Sequence, residues 1–406
     1  MARGRVAREE EPELRVQRSE GHYVWDTRGK KYLDFLMGWC VGNFGWGNAL
    51  MEKPARAFKG PDYVYPGFDY PPWDELAELL VSIAPEPLAV CFRATGGSEA
   101  VDLALQAALI HTGRRKFLSL EDSYHGNTLA GLSVGASENR EKRKNLLPGC
   151  RKVKPPLDER ALARIERELA GKDVAAFIME PISMNLGVLV PEAGFIAEVQ
   201  RLCRKHRTLF IADEVATGFG RTGTLFACEQ LGIAPDIMTV AKAITDGVGG
   251  MGAMLASAPV ARSMEKHGVF YSTYGWHPRS VDIALATLRF LVKNEKRLLE
   301  DMAATSDYFR SRLQSMAFGK TAEVRVRGLA IGIDFRDEKY TSKLADRCRE
   351  RGLLTSAEGE TLLLIPALDV DRDTARKGLD ILADAAGPPA ARASRKSRAA
   401  ASSKAS

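Results

Sequence analysis

Two short apolar runs in this chain each end in a single charged side chain. Leu209-Phe-Ile-Ala runs into Asp213, and Ile237-Met-Thr-Val-Ala runs into Lys242. Runs this short, rich in β-branched and aromatic residues and bounded by Gly and Pro signals, read as buried strands of a parallel sheet. Parallel strands need helical crossovers on both faces, so the chain is expected to be an α/β protein. In an open α/β sheet the ligand sits outside the carboxyl ends of the strands. Asp213 and Lys242 are therefore expected to face one shared crevice.

Three chemistries fit such a crevice. The plainest is an ion pair at the rim of the sheet. The second is a nucleotide site: Thr208 to Glu214 resembles the apolar run and acidic pair that holds magnesium in P-loop enzymes, and Gly218-Phe-Gly220-Arg-Thr-Gly223 satisfies G-x-G-x-x-G. Neither match has its context. A dinucleotide fingerprint follows a strand directly and opens a helix, whereas Asp213-Glu214-Val-Ala-Thr intervenes here. The nearest P-loop candidate, Gly319-Lys320-Thr321, has Gln314 where the first glycine belongs. The third is a pyridoxal phosphate (PLP) site, which needs a lysine Schiff base and an acidic partner for the pyridine nitrogen. Lys242 and Asp213 are the residue types for those two roles.

The longer text around these residues is more specific. Asp213-Glu214-Val-Ala-Thr-Gly-Phe-Gly-Arg-Thr-Gly223, followed by Ala241-Lys242-Ala-Ile-Thr245, resembles the class III (ω-) aminotransferases. Matching pieces run from about Gly21 to about Ala385. The resemblance implies a PLP-dependent transferase of fold type I, aspartate aminotransferase-like. Such a fold has a large, mostly parallel-sheet domain and a smaller α+β domain. It implies catalytic roles for Lys242, which carries the cofactor and shuttles a proton, and for Asp213, which stabilises the pyridinium. Gly97 and Ser98, in Arg93-Ala-Thr-Gly-Gly97-Ser98-Glu99, would hold the phosphate at a helix mouth. Tyr124, in Tyr124-His125-Gly126, would stack on the cofactor ring. His125, Gly126, Val215 and Glu180 are counted with the same site. Thr273 would reach the phosphate of a neighbouring subunit, which implies a homodimer with shared active sites.

The rest of the chain fits this frame. Residues 1–44 include a hairpin around Asp26-Thr-Arg-Gly29 and would contribute to the small domain. Residues 45–278 would form the large cofactor-binding domain, and 279–386 the C-terminal small domain. Residues 1–18 read as loose. The aromatic stretch 39–73 reads as loop, and 136–156 as a polar surface loop. The formal charge of +6 is concentrated in residues 387–406, whose Arg392, Arg395, Lys396, Arg398 and Lys404 have no acidic counterpart, so the body is close to neutral at +1. This Ala/Ser/Pro-rich tail is expected to be disordered, and nucleic-acid binding by it is the weaker reading. The composition, 45% hydrophobic and 27% charged, is that of a globular protein without a membrane-spanning run. There is no apolar h-region near the start. Six scattered cysteines without C-x-x-C favour a reducing cytoplasm and argue against a structural metal.

For the substrate the expectations divide. Where branches of the family that handle ornithine or 4-aminobutyrate carry an arginine ahead of paired prolines, this chain reads Thr361-Leu-Leu-Leu-Ile-Pro366-Ala367. Where ω-amine branches carry a mobile arginine after Gly-Leu-Leu, Gly352-Leu-Leu is followed by Thr355-Ser356. Arg325 and Arg327 are candidate replacements, and structural salt bridges suit them equally. Glu180 without an arginine partner, and Trp46 where Gly-His is common, suggest a reshaped pocket for an amine donor and a keto acid, aldehyde or ketone acceptor. An acetylornithine or 4-aminobutyrate transaminase, a glutamate-1-semialdehyde-type aminomutase and, in another class, a nucleotide-binding protein stay open as alternatives.

Overall fold

The computed structural model describes residues 13–135 and 146–387. The expectations for residues 1–12, for 136–145 and for the basic tail beyond Gly387 lie outside the described residues.

The first three strands, β1 (Val16–Glu20), β2 (Tyr23–Asp26) and β3 (Lys31–Asp34), form an antiparallel meander. Asp26 closes the expected hairpin, its Oδ1 accepting from the backbone N–H of Arg28 and Lys30, both at 2.9 Å. The segment expected to be loose up to residue 18 therefore ends in a strand. There the Arg18 guanidinium lies 3.6 Å over the Trp25 ring, an interaction that alternating charge in the sequence hid.

The central sheet has seven strands: β4 (Leu88–Ala94), β5 (Lys116–Leu120), β6 (Cys150–Val153), β7 (Val174–Met179), β8 (Leu209–Asp213), β9 (Ile237–Val240) and β10 (Gly252–Ser257). Their spatial order is β4-β10-β9-β8-β7-β5-β6. Every neighbouring pair from β6 to β9 is parallel, and β10 runs antiparallel to both β4 and β9. β7, β8 and β9 are buried at every residue, which is why they read as continuous apolar runs. On one face the Gly97–Thr112 helix packs Val101, Ala104 and Ala108 against Phe117, Ile178 and Ile211. On the other lie the Glu159–Ala170 and Phe195–His206 helices and the start of the long Pro278–Gln314 helix. Asp158 caps the first of these, accepting from Arg160 N at 2.9 Å and Ala161 N at 3.1 Å.

Two expectations needed correction. Ala49–Ala57, inside the stretch read as loop, is a helix capped by Asn48, which accepts from Leu50 N at 3.0 Å. Pro54 blurs its pattern but removes only one helical hydrogen bond, and Met51 anchors it in the core. Cys150–Val153, inside the segment read as surface loop, is β6, the edge strand beside β5. Its polar Arg151 and Lys152 sit between the buried Cys150 and Val153, as an edge strand permits.

The C-terminal part forms a third sheet from β11 (Glu323–Arg327), β12 (Ala330–Asp334), β14 (Ser356–Glu358) and β15 (Thr361–Leu364), ordered β11-β12-β15-β14. Between these, β13 (Leu353–Leu354) leaves to pair in parallel with β3. One core, including Leu33, Phe35, Ile333, Leu362 and Leu379, joins the N-terminal meander to this sheet and to the Arg372–Ala386 helix.

Candidate active site

Asp213 and Lys242 stand at the carboxyl ends of the adjacent strands β8 and β9. Asp213 is 3% exposed. Its Oδ2 meets Nδ1 of His125 at 2.7 Å, and its Oδ1 accepts from Thr239 Oγ1 at 2.9 Å and from Val215 N at 3.2 Å. Burial alone would push this carboxyl up. The donors, His125 foremost, outweigh burial and hold it below the ordinary carboxylate range. The side chain against Asp213 is thus His125 rather than Lys242. The histidine's Nε2 is buried and has no partner among the described residues.

Lys242 opens a single 3₁₀ turn, Lys242–Thr245, with its own backbone left-handed at φ +47°. A side chain other than glycine rarely adopts that conformation, and such strain concentrates at functional sites. Its ammonium nitrogen lies 5.6 Å from the ring centre of Trp39, itself left-handed at φ +62°. Glu180 closes β7 and is 5% exposed. Burial first, and the nearby Asp213 charge second, push its carboxyl well up, while Lys242 pulls in the opposite direction. Its Oε2 is buried and has no partner among the described residues. Glu214, the second acid of the pair, is engaged inside the fold by Thr217 Oγ1 and by Cys228 N at 2.7 Å, so it is not the open metal ligand of the nucleotide reading.

At the mouth of the Gly97–Thr112 helix the packing is close. A Cβ on Gly97 would lie 2.9 Å from Val215 Cγ1 and 3.6 Å from the Ala241 Cβ. A Cβ on Gly126, left-handed at φ +102°, would lie 2.5 Å from Ser98 Oγ, which accepts from Asn127 N at 3.3 Å. Gly97, Ser98, Gly126, Val215 and Ala241 therefore converge, joining the ends of β4, β5, β8 and β9. Tyr124 stands beside them, 52% exposed. Thr273 is exposed on the segment between β10 and the long helix, among the exposed rings Tyr271 and Tyr274.

Trp46 is half-buried and fixed in place. Its indole N–H donates to Asp34 Oδ2 at 2.8 Å, and its ring lies against Gly38, Gly42 and Gly247. It borders a cavity of about 350 Å³ shared with Leu36, Leu354 and Thr355 and walled on the far side by Arg349. Arg325 is committed to structure, with Nη2 donating to Asp334 at 2.7 Å and Nη1 to Gly187 O at 3.1 Å. Arg327 is exposed at the end of β11. Residues that sequence reasoning left unassigned also appear: Thr239, which donates to Asp213, and Trp39, which covers Lys242. Trp39 follows Gly38 in an aromatic stretch whose irregular backbone left no periodicity to read.

The donor set suits a flat cationic heteroaromatic ring bearing a phosphate. Asp213 is a buried anion held ionised by neutral and histidine donors, and each of its oxygens keeps acceptor capacity. The glycine-lined helix mouth admits an anion, and Lys242 supplies an amine. The chain matches the family described as "Aminotransferase class-III" over residues 5–386. It is 34% identical over 377 residues to an acetylornithine aminotransferase of Methanosarcina mazei, covering 92% of this chain and 91% of that one. To a putrescine–pyruvate aminotransferase of Pseudomonas aeruginosa it is 31% identical, covering 88% and 86%. The solved structure of an amine transaminase from an uncultivated Pseudomonas species, in its PLP-bound form, superposes with a TM-score of 0.84 at 31% identity, covering 92% and 94%. With the fold, the paired strand ends and nearly the whole length in agreement, this chain belongs to the class III aminotransferase family.

Proposed function

We propose that this chain is a PLP-dependent aminotransferase that takes an amino group from an amine or ω-amino donor and passes it to a keto acid, aldehyde or ketone by a ping-pong mechanism. The observation that carries this reading is the buried Asp213 carboxylate, held ionised by His125, Thr239 and Val215 beside the end of the strand that presents Lys242. PLP, when bound, supplies the electron sink for carbanion charge. Asp213 would keep the ring nitrogen protonated, and His125, at 2.7 Å from its Oδ2, holds the carboxylate in place. Gly97 and Ser98 would offer backbone N–H groups to the phosphate, and Tyr124 and Val215 would hold the ring. Lys242 Nζ would be the amine that holds the cofactor and the base that carries a proton to and from the reacting carbon.

The amine preference is supported by what surrounds Glu180. Neither sequence position expected to carry a carboxylate-binding arginine does so, and Arg325 is already bound to Asp334. The second reading, an acetylornithine-type donor, is favoured by the 34% identity to the Methanosarcina mazei enzyme. We place the enzyme in the cytoplasm, in keeping with six cysteines that form no disulfide among the described residues. We place it in a homodimer, in keeping with Thr273 and the exposed Val269, Tyr271 and Tyr274 on the same segment.

The test is the visible spectrum of purified protein with PLP, before and after amine donors and N-acetylornithine, beside Lys242→Ala. A visible band that amines bleach, and that the variant cannot form normally, is the expected result. Protein that never takes up PLP sinks the reading. Bleaching by N-acetylornithine with inert amines selects the second reading.

A further inference from the structure

Arg221 has no part in the chemistry above, yet its side chain is entirely buried. Among the described residues it makes no ion pair. Its guanidinium donates only to neutral acceptors, through Nη1 to Leu329 O at 3.1 Å and Pro366 O at 2.5 Å, and through Nη2 to Asn43 Oδ1 at 2.7 Å. Its own carbonyl accepts from Leu329 N at 3.0 Å. Asn43, also fully buried, donates from Nδ2 to Phe219 O at 3.0 Å and accepts at its carbonyl from Leu368 N at 2.7 Å. Four stretches therefore meet at one cation: the N-terminal segment at Asn43, the turn 219–223, the β11–β12 turn at Leu329, and Pro366–Leu368 after β15. Gly328 makes the approach possible, because a Cβ there would lie 2.6 Å from Arg221 O and Gly223 N.

These stretches carry the cover of the site. Trp39 and Cys40 lie just before Asn43, and Cys40 packs with Ile182, Met184, Ala216, Ala330 and Ile365 in a small core between the sheets. Cys40 is 1% exposed and within electrostatic reach of Arg221, Lys242 and Glu180. A lone buried cation is costly, and an apolar residue would fill such a space at less expense. What the guanidinium adds is a planar fork that fixes three acceptors from separate parts of the chain in one geometry.

We propose that Arg221, with Asn43, is a positioning residue of the transamination site that holds the Trp39–Cys40 segment over Lys242. The proposal rests on the aminotransferase reading only for its kinetic consequence; the structural consequence stands without it.

The test uses full-length Arg221→Lys and Asn43→Ser, with and without PLP. Iodoacetamide labelling of individual cysteines is located by peptide mass spectrometry. The Cys40 rate is expected to rise about tenfold or more, with buried Cys203 and Cys228 labelled as in the parent, because only the local segment is released. KM for a small amine donor is expected to rise by more than kcat falls. Equal increases at all three cysteines would mean global destabilisation and would overturn the proposal, as would an unchanged Cys40. Asn43→Ser removes the acceptor for Nη2 and the bond to Phe219 O but keeps the cation, so it decides the matter if Arg221→Lys does not fold. Labelling needs no donor, so a wrong donor class leaves this test intact.

Discussion

Replacing Gly97 by alanine adds one methyl at the place where the helix mouth meets β8. That Cβ would lie 2.9 Å and 3.2 Å from the two Cγ atoms of Val215. Favourable contact between carbon atoms begins at about 3.5 Å, so the overlap is roughly half an ångström. Val215 cannot retreat freely, because its backbone N–H is bound to Asp213 Oδ1 at 3.2 Å. Forcing an extra methyl into such packing costs about 1–3 kcal/mol. Alanine returns up to about 1 kcal/mol in helix preference at this first helical residue. The protein without cofactor should therefore lose only about 0–2 kcal/mol, a few degrees in Tm at most. PLP affinity should suffer more. Displacing one backbone donor from the phosphate removes a hydrogen bond to a charged group worth about 1.5–3 kcal/mol, and Kd should rise about 10- to 150-fold. Calorimetric or absorbance titration of cofactor-free protein measures Kd, and differential scanning measures Tm. Adding Val215→Ala to Gly97→Ala should recover part of the loss, giving a coupling of about 1 kcal/mol or more in a double-mutant cycle. A Gly97→Ala protein of normal stability that binds PLP as tightly as the parent would refute the cradle.

Asp246 is buried, and burial pushes its carboxyl up to about 8 despite the hydrogen bond from Phe44 N. Its folded pKa is raised, so the stability it contributes is lost as pH rises from about 4 through about 8; Asp246→Asn should gain Tm relative to the parent between pH 6 and pH 9, and a difference independent of pH would count against this. Trp39→Ala should raise the kcat/KM ratio of a bulky over a small amine by about tenfold or more, since the ring stands 5.6 Å from the Lys242 amine; an unchanged ratio would move the donor site elsewhere. Tyr271→Asp, at a side chain 57% exposed, should weaken self-association in sedimentation velocity and lower activity with it. A fully active monomer would remove the shared-site reading.

The central sheet was legible because β7, β8 and β9 are buried on both faces, so their apolar runs are uninterrupted up to Glu180, Asp213 and Lys242. Gly97 and Gly126 stood out for a related reason: glycine is conspicuous in a sequence, and here its missing Cβ is what allows two loops to touch. Tertiary partners were not legible. His125 is 88 residues from Asp213, and no local pattern announces that they share a hydrogen bond. Arg221 reads as one more polar residue of a glycine-rich turn, although its partners lie up to 178 residues away. The helix Ala49–Ala57 was hidden by Pro54, and β6 by the polar residues that an edge strand tolerates.

The parallel pairing of β3 with β13 has a consequence for how the molecule is made. Leu33 N donates to Gly352 O at 2.8 Å, and Phe35 N to Leu354 O at 3.1 Å. As a ribosome delivers the chain from its N-terminus, the meander and the Trp39 segment behind it wait, without their final neighbour, until some nine-tenths of the protein has emerged. The central sheet can collapse earlier, because its last strand, β10, is complete at Ser257. Nascent chains stopped before Gly352 should therefore hold the Lys242 strand in place beneath an open roof, competent to fold around the anion cradle and unable to shelter what is bound there.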